Sequence, residues 1–198
     1  MRGNLPRLFV VSSLCLLVGI GLVVSYSATR SFSSTAIREL KPVDNSIKDI
    51  AGYRDWSKVN SEPQLMPDPT ALLCAQVIRD GTKNPHNNKY LTVYVNEPGR
   101  QAMYQQLTPK FPEGSVIIKE KLSEKSSQAP ELLTVMIKRG EGFNPAGGDW
   151  EYMVVDGTGT KVMAHGKLEN CQLCHTTRSG TDYVFRTYLP NEVQNKLK

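Results

Sequence analysis

The feature that most constrains the fold is a series of short segments rich in β-branched and aromatic residues, separated by turns and loops. This composition is typical of β-strands, and strands that follow one another without long helices between them favour an antiparallel sheet. The predicted strands span 89–96, 115–122, 132–139, 149–156 and 182–189. Short helices are predicted at 71–78, 97–107 and 167–177. The chain is therefore expected to be an α+β protein with a mainly antiparallel sheet and a few short helices.

Apolar and polar residues alternate only imperfectly within the predicted strands. A sheet with one face in water shows a cleaner alternation, because successive side chains point to opposite faces. We therefore expect parts of both sheet faces to be covered, and something bulky besides the helices to contribute to the cover.

The N-terminus has the features of an export signal. Arg2 and Arg7 accompany an uncharged apolar run of seventeen residues at 8–24, which is followed by the small-x-small site Ser25-Tyr26-Ser27. This order is typical of a signal peptide, and the apolar run is also nearly long enough to remain as a membrane anchor. The expected organisation is a signal or anchor at 1–27, a polar tether at 28–51 and a folded domain at 52–198. We expect that domain in the periplasm, either soluble or tethered to the inner membrane.

The charge balance argues against nucleic acid as a partner. Lys and Arg number 24 against 19 Asp and Glu, which gives a formal net charge of +5. The basic residues are scattered, and no run of them resembles a phosphate-binding stripe.

Two thiols and an imidazole lie close together near the C-terminus, in the stretch ENCQLCHTTRSGTD. Cys171, Cys174 and His175 could form a redox dithiol, a disulfide, half of a zinc site or a covalent haem attachment site. A redox dithiol is expected earlier in a βαβ unit, and zinc needs further ligands, for which the chain offers no second Cys-x-x-Cys motif. In an exported protein the motif Cys-x-x-Cys-His favours c-type haem, with thioethers to both cysteines and His175 on the iron.

A second axial ligand is not evident in the sequence. No methionine follows His175, and the candidates elsewhere are His86, His165, Met136, Met153 and Met163. Each has an ordinary alternative role, as a loop histidine or as a core methionine. The simplest expectation is a five-coordinate iron with an open face, which suits small-molecule binding or redox catalysis.

An ordered set of segments resembles the cytochrome P-460 family and the related cytochromes c′-beta. The segments are GYRDWSKVN, KYLTVYVN, FPEGSVIIKEKL, LLTVMIKR, GDWEYMVV and CQLCH followed by DYVFRTYL, covering about residues 52–190. The resemblance implies a mainly antiparallel β fold, often dimeric, that carries c-type haem with five-coordinate iron and His175 as its proximal ligand. Hydroxylamine or nitric oxide would be the small-molecule partner, and a redox partner protein is an expected second one.

In the P-460 members of that family a lysine is also bonded to the haem edge, and the modified haem oxidises hydroxylamine. The matching residue is Lys119, which the resemblance makes both a haem-binding and a catalytic candidate. The c′-beta relatives lack this bond and bind nitric oxide or carbon monoxide in an apolar pocket, and an electron-transfer cytochrome is a further alternative. Candidate distal groups are Phe111 and Phe143 as pocket walls, and Glu120, Glu141 or Arg139 as acid or base. Strand periodicity leaves the orientation of Lys119 open, because each face of its strand carries charge.

Overall fold

One antiparallel sheet forms the centre of the computed structural model, which describes residues 47–66 and 88–198. The strands are β1 (Ser57–Lys58), β2 (Gln64–Leu65), β3 (Tyr90–Val95), β4 (Val116–Leu122), β5 (Leu132–Lys138), β6 (Trp150–Asp156) and β7 (Val162–Gly166). Within the described residues they lie in the order β1-β3-β4-β5-β6-β7, and β2 also pairs with β3. Every pairing is antiparallel.

The strands β3 to β6 confirm four of the sequence predictions to within one residue at each end. Their β-branched and aromatic residues favour the extended backbone, so local preference and tertiary structure agree. β7 is not predicted, because Val162–Gly166 includes alanine and glycine, which have weak strand preference. It forms because the turn after β6 returns the chain beside that strand. The Asp156 side chain fixes this turn by accepting hydrogen bonds from the amides of Thr160 and Lys161, each at 2.9 Å.

Three short α-helices accompany the sheet in the described residues: α1 (Glu97–Tyr104), α2 (Glu169–Thr176) and α3 (Asn191–Lys196). The first two confirm predicted helices, α3 was not predicted, and the helix predicted at 71–78 lies outside the described residues. Asn96 begins α1, since its side chain accepts a hydrogen bond from the amide of Gly99 and Pro98 lies in the first turn. None of the helices in the described part of the chain is long and apolar enough to cross a membrane.

Buried apolar residues line both faces of the sheet, as the imperfect alternation of the strands predicts. The first face carries Val93, Ile117, Met136 and Tyr152. The second face carries Ile118, Leu133, Val135, Met153 and Val155. Ile50, at the end of the predicted tether, is also buried and packs on the second face. Contacts of the folded domain therefore begin at least as early as this residue.

The predicted strand at 182–189 is wrong. Asp182 and Tyr183 have φ values of 52° and 65°, in the left-handed region, so an extended strand cannot begin there. Val184, Tyr188 and Leu189 are nevertheless buried, packed with the apolar cluster of the first face. The apolar pattern of this segment thus reflects its burial, although its backbone is irregular and not a strand.

Candidate haem site

The helix α2 carries the three residues of the Cys-x-x-Cys-His motif and lies against the first face of the sheet. Cys174 is buried, and the half-buried Cys171 packs against the apolar cluster of that face. Asn144 fixes the helix to β6, because its amide nitrogen donates to the Trp150 carbonyl at 3.0 Å and to Gln172 Oε1 at 3.2 Å. This side chain therefore connects the middle of α2 to the start of β6.

A cavity of about 160 Å³ lies between α2 and the first face of the sheet. Cys171, Cys174, His175 and Lys119 all line it, so the structure brings the four predicted site residues together. Most of the remaining wall is apolar, and its described part contains no carboxylate. The further lining residues are Met66, Val93, Ile117, Thr134, Val135, Met136, Tyr152, Met153, Asn170, Val184, Phe185 and Tyr188.

His175 is held in the state that a metal ligand requires. Its Nδ1 lies 2.7 Å from the carbonyl oxygen of Tyr183, to which it donates, and this leaves the Nε2 lone pair available. The pKa of His175 is lowered to about 4, mainly by burial; the hydrogen bond to Tyr183 opposes this shift and the nearby charge of Lys119 adds to it. The imidazole is therefore neutral at pH 7, which is its metal-binding form.

Lys119 lies in the middle of β4 on the cavity side. It pairs with Val93 of β3 and with Thr134 of β5. Among the described residues, the Lys119 ammonium forms no hydrogen bond or ion pair. The neighbouring Glu120 points to the second face, where Tyr53 Oη and Arg54 Nε donate to it at 2.6 and 2.8 Å. The structure thus answers the question of orientation that strand periodicity leaves open.

The Tyr152 hydroxyl is a polar group that the sequence reasoning missed. It is buried in the cavity region and has no hydrogen-bond partner among the described residues. Burial, with smaller contributions from the Cys171, Tyr183 and Cys174 side chains, raises the pKa of Tyr152 above its usual range. Buried hydroxyls normally have a partner, so this one is suited to bond to a group bound in the cavity. The sequence offers only a strand tyrosine at this position, with no signal of its isolation.

The distal candidates named from the sequence do not line the cavity. Phe111 is buried against Trp150 with ring centroids 5.5 Å apart, and Phe143 lies under the Lys167 ammonium. Arg139 pairs with Glu151 at 2.6 Å, and Glu141 is exposed. The aromatic wall comes instead from Tyr152, Tyr188 and Phe185, and the ring of Phe185 meets that of His175 edge-on at 5.1 Å.

The candidates for a second axial ligand differ in whether they lie at the cavity. Met136, on the first face of the sheet, lines the cavity, whereas the Met153 side chain packs in the apolar cluster of the second face. His165 lies on β7, 3.4 Å from Glu151 Oε1, and Met163 is 60% exposed. His86 lies outside the described residues. Within 47–66 and 88–198, no group of three or more His, Cys, Asp and Glu side chains is close enough to hold a metal ion, so these residues do not complete a four-ligand zinc site.

Fold and site define a class: a protein with one antiparallel sheet that carries two thiols and a neutral imidazole in a largely apolar cavity. Residues 50–186 match the family model described as Cytochrome P460. The chain therefore belongs to the cytochrome P460 family, as the ordered motifs predict, and membership implies a haem cofactor. No protein of curated function matches the chain.

The side chains at the site fit a haem group. Two thiols and an imidazole are the groups that hold c-type haem, and the apolar wall and the unpartnered Tyr152 hydroxyl suit a large, mostly apolar ligand. The cavity volume of about 160 Å³ is below that of pockets for drug-sized ligands, which hold roughly 300–1,000 Å³. The fit to haem therefore rests on the chemistry of these side chains and not on the volume of the cavity.

Proposed function

We propose that this chain is an exported mono-haem c-type cytochrome that oxidises hydroxylamine or nitric oxide at a five-coordinate haem iron. The observation that carries the proposal is the position of Lys119. It shares one cavity with Cys171, Cys174 and His175, and its ammonium has no partner among the described residues. A strand lysine whose role is solubility would extend into water instead.

The motif residues have distinct roles in this proposal. The Cys171 and Cys174 thiols would form thioethers with the two vinyl groups of the macrocycle, and His175 Nε2 would bind the iron. The hydrogen bond from His175 Nδ1 to the Tyr183 carbonyl fixes the tautomer and strengthens the imidazole as a donor. Together these residues would fix the ring, the axial ligand and the helix in one orientation.

Lys119 would bond through Nζ to the edge of the macrocycle. A bond between an amine nitrogen and a ring carbon that bears hydrogen releases two protons and two electrons, so its formation needs an external two-electron oxidant. Lys119 lies opposite Val93 and Thr134 in the sheet, which fixes the position of its backbone beside the cavity. The strand thus fixes the point on the cavity wall from which the amine would reach the ring.

The haem, when bound, supplies the centre that accepts electrons from the substrate. Oxidation of hydroxylamine to the level of nitric oxide removes three protons and three electrons, and a redox partner protein is proposed to receive the electrons. The apolar side chains of the wall exclude water. The hydroxyls of Thr134 and Tyr152 are the wall groups that would exchange a proton with a bound substrate.

A second candidate function is reversible binding of nitric oxide or another gas, as in the c′-beta relatives. The observation that favours it is the apolar wall, whose described part contains no carboxylate to act as a general base. An electron-transfer role would require a second axial ligand, and the Met136 thioether in the wall is the group to examine for it.

The location and assembly of the protein are also proposals. The basic and apolar segments of residues 1–27 support export to the periplasm, with the N-terminus cleaved or kept as an anchor in the inner membrane. Homodimer formation is proposed from the family resemblance. Fractionation of cells that express the full chain, followed by light scattering of the purified protein, tests both.

The decisive experiment is a comparison of wild type with Lys119→Ala after co-expression with a haem-attachment system. Wild type should show a red-shifted ferrous Soret band, a mass lower by two hydrogens than expected for two thioethers alone, and hydroxylamine turnover. The variant should show an ordinary five-coordinate spectrum and lose turnover. Lys119→Arg keeps the charge without the amine, and Lys121→Ala changes the next lysine on the same strand face. An unchanged spectrum and activity in Lys119→Ala would contradict the proposal.

A further inference from the structure

The segment that follows α2 has an unusual backbone at the residue that contacts His175. Asp182 and Tyr183 are consecutive non-glycine residues with φ of 52° and 65°. Side chains disfavour this left-handed conformation, and a bulky tyrosine adopts it rarely. Such a pair persists only where surrounding contacts hold it, and backbone strain of this kind concentrates at functional sites.

The contacts that hold this pair converge on Asp182. Its carboxylate accepts from Lys138 Nζ at 2.7 and 2.8 Å and from the Phe111 amide at 2.8 Å. The Trp150 indole donates to the Asp182 carbonyl at 2.8 Å. The ion pair is largely shielded from water, with 14% of the Lys138 and 11% of the Asp182 side chain exposed. Asp182 is therefore held by contacts from three parts of the chain: β5, β6 and the segment before β4.

A second group of contacts fixes the same segment from the loop between β5 and β6. Lys138 Nζ also donates to the Gly148 carbonyl at 2.8 Å. A side chain at Gly148 would overlap the ring of Tyr183, so the two residues are in close contact. The position of Tyr183 thus depends on Lys138 through both Asp182 and Gly148.

The consequence of this arrangement is the direction of one carbonyl group. The Tyr183 carbonyl accepts from His175 Nδ1 at 2.7 Å, the hydrogen bond that sets the tautomer of the imidazole. A hydrogen bond at the non-ligating nitrogen increases the donor strength of a histidine towards its metal. A shift of the segment would lengthen this bond.

We propose that Asp182 is a positioning residue for His175: paired with Lys138, it holds the left-handed Asp182–Tyr183 segment so that the Tyr183 carbonyl accepts from His175 Nδ1. It acts through Tyr183 and does not contact the haem. The inference rests on the proposed function in one respect, that His175 is the iron ligand. It adds that the charge pair on β5 and the C-terminal segment tunes the reduction potential of the iron.

The test uses holoprotein carrying Asp182→Ala or Asp182→Asn, with resonance Raman spectroscopy of the ferrous iron–histidine stretch and redox titration as readouts. Loss of the hydrogen bond weakens the imidazole as a donor, so the stretch should move to lower frequency and the reduction potential should rise. Asp182→Asn keeps an acceptor for the Phe111 amide but loses the charge, so its shifts should be smaller and in the same direction. If the alanine variant does not fold, the stretch and the potential of Asp182→Asn provide the test.

A matched control separates this role from general stability. Arg139, just after β5, and Glu151 of β6 form another partly buried ion pair, at 2.6 Å, for which no hydrogen bond or ion pair to the 182–183 segment is described. Glu151→Gln should lower the melting temperature while leaving the stretch and the potential unchanged. Unshifted values in both Asp182 variants, or equal shifts in the Glu151 variant, would overturn the inference. Wild type without an iron–histidine band would overturn the proposed function, so the two failures are distinguishable.

Discussion

Replacement of Tyr152 by phenylalanine removes a hydroxyl of the cavity wall that is buried without a hydrogen-bond partner among the described residues. In the protein without haem, this hydroxyl is removed from water and forms no hydrogen bond with the described residues. Leaving a polar group buried and unsatisfied costs about 1–3 kcal/mol, so its removal should stabilise the apoprotein by about 1 kcal/mol. For a domain of this size that corresponds to a rise in melting temperature of roughly 2–4 °C.

The sign of the effect should differ in the holoprotein. If the bound haem supplies a partner for the hydroxyl, Tyr152→Phe removes a hydrogen bond and the gain disappears or becomes a loss of about 1 kcal/mol. The assay is urea denaturation of chain expressed with and without haem attachment, each compared with wild type. Tyr53→Phe is the matched control, because its hydroxyl donates to Glu120 at 2.6 Å and its removal should destabilise both forms. A destabilised Tyr152→Phe apoprotein would refute the reasoning.

Two further predictions concern His175 and the segment that contacts it. The folded-state pKa of His175, about 4, lies below its ordinary value of 6.5, so the unfolded chain takes up the proton first as the pH falls. The apoprotein should therefore lose about 3 kcal/mol of stability between pH 6.5 and 4 in denaturation curves, and His175→Gln should remove this loss. Gly148→Ala should cost roughly 1–3 kcal/mol, since the new methyl group overlaps the Tyr183 ring. Gly142→Ala, also at positive φ but facing open space, should cost less; equal losses would contradict the packing argument.

The strands were predictable because their local preferences and their tertiary environment agree. β3 to β6 consist largely of β-branched and aromatic residues, and such residues favour both an extended backbone and burial against a sheet. The segment 182–189 has a similar composition but begins with two left-handed residues, whose conformation depends on Lys138 and Trp150, far away in the sequence. The composition of a segment does not reveal its contacts with residues that are distant in the sequence.

The motif residues of the site were also predictable, because Cys171, Cys174 and His175 are adjacent and their spacing has few chemical uses. The orientation of Lys119 was not. Glu120, the charged residue beside it, is buried on the opposite face by means of hydrogen bonds from Tyr53 and Arg54, more than sixty residues earlier in the chain. Only the folded chain shows which charge has partners and which faces the cavity.

The central claim is that Lys119 joins Cys171, Cys174 and His175 in holding one haem group. Intact mass and the ferrous optical spectrum of the purified holoprotein, measured on the same sample, test it most directly. We predict one haem per chain, a mass lower by two hydrogens than two thioethers alone would give, and a red-shifted Soret band. A mass that corresponds to two thioethers only, together with an ordinary five-coordinate spectrum, would contradict the claim and favour the gas-binding alternative.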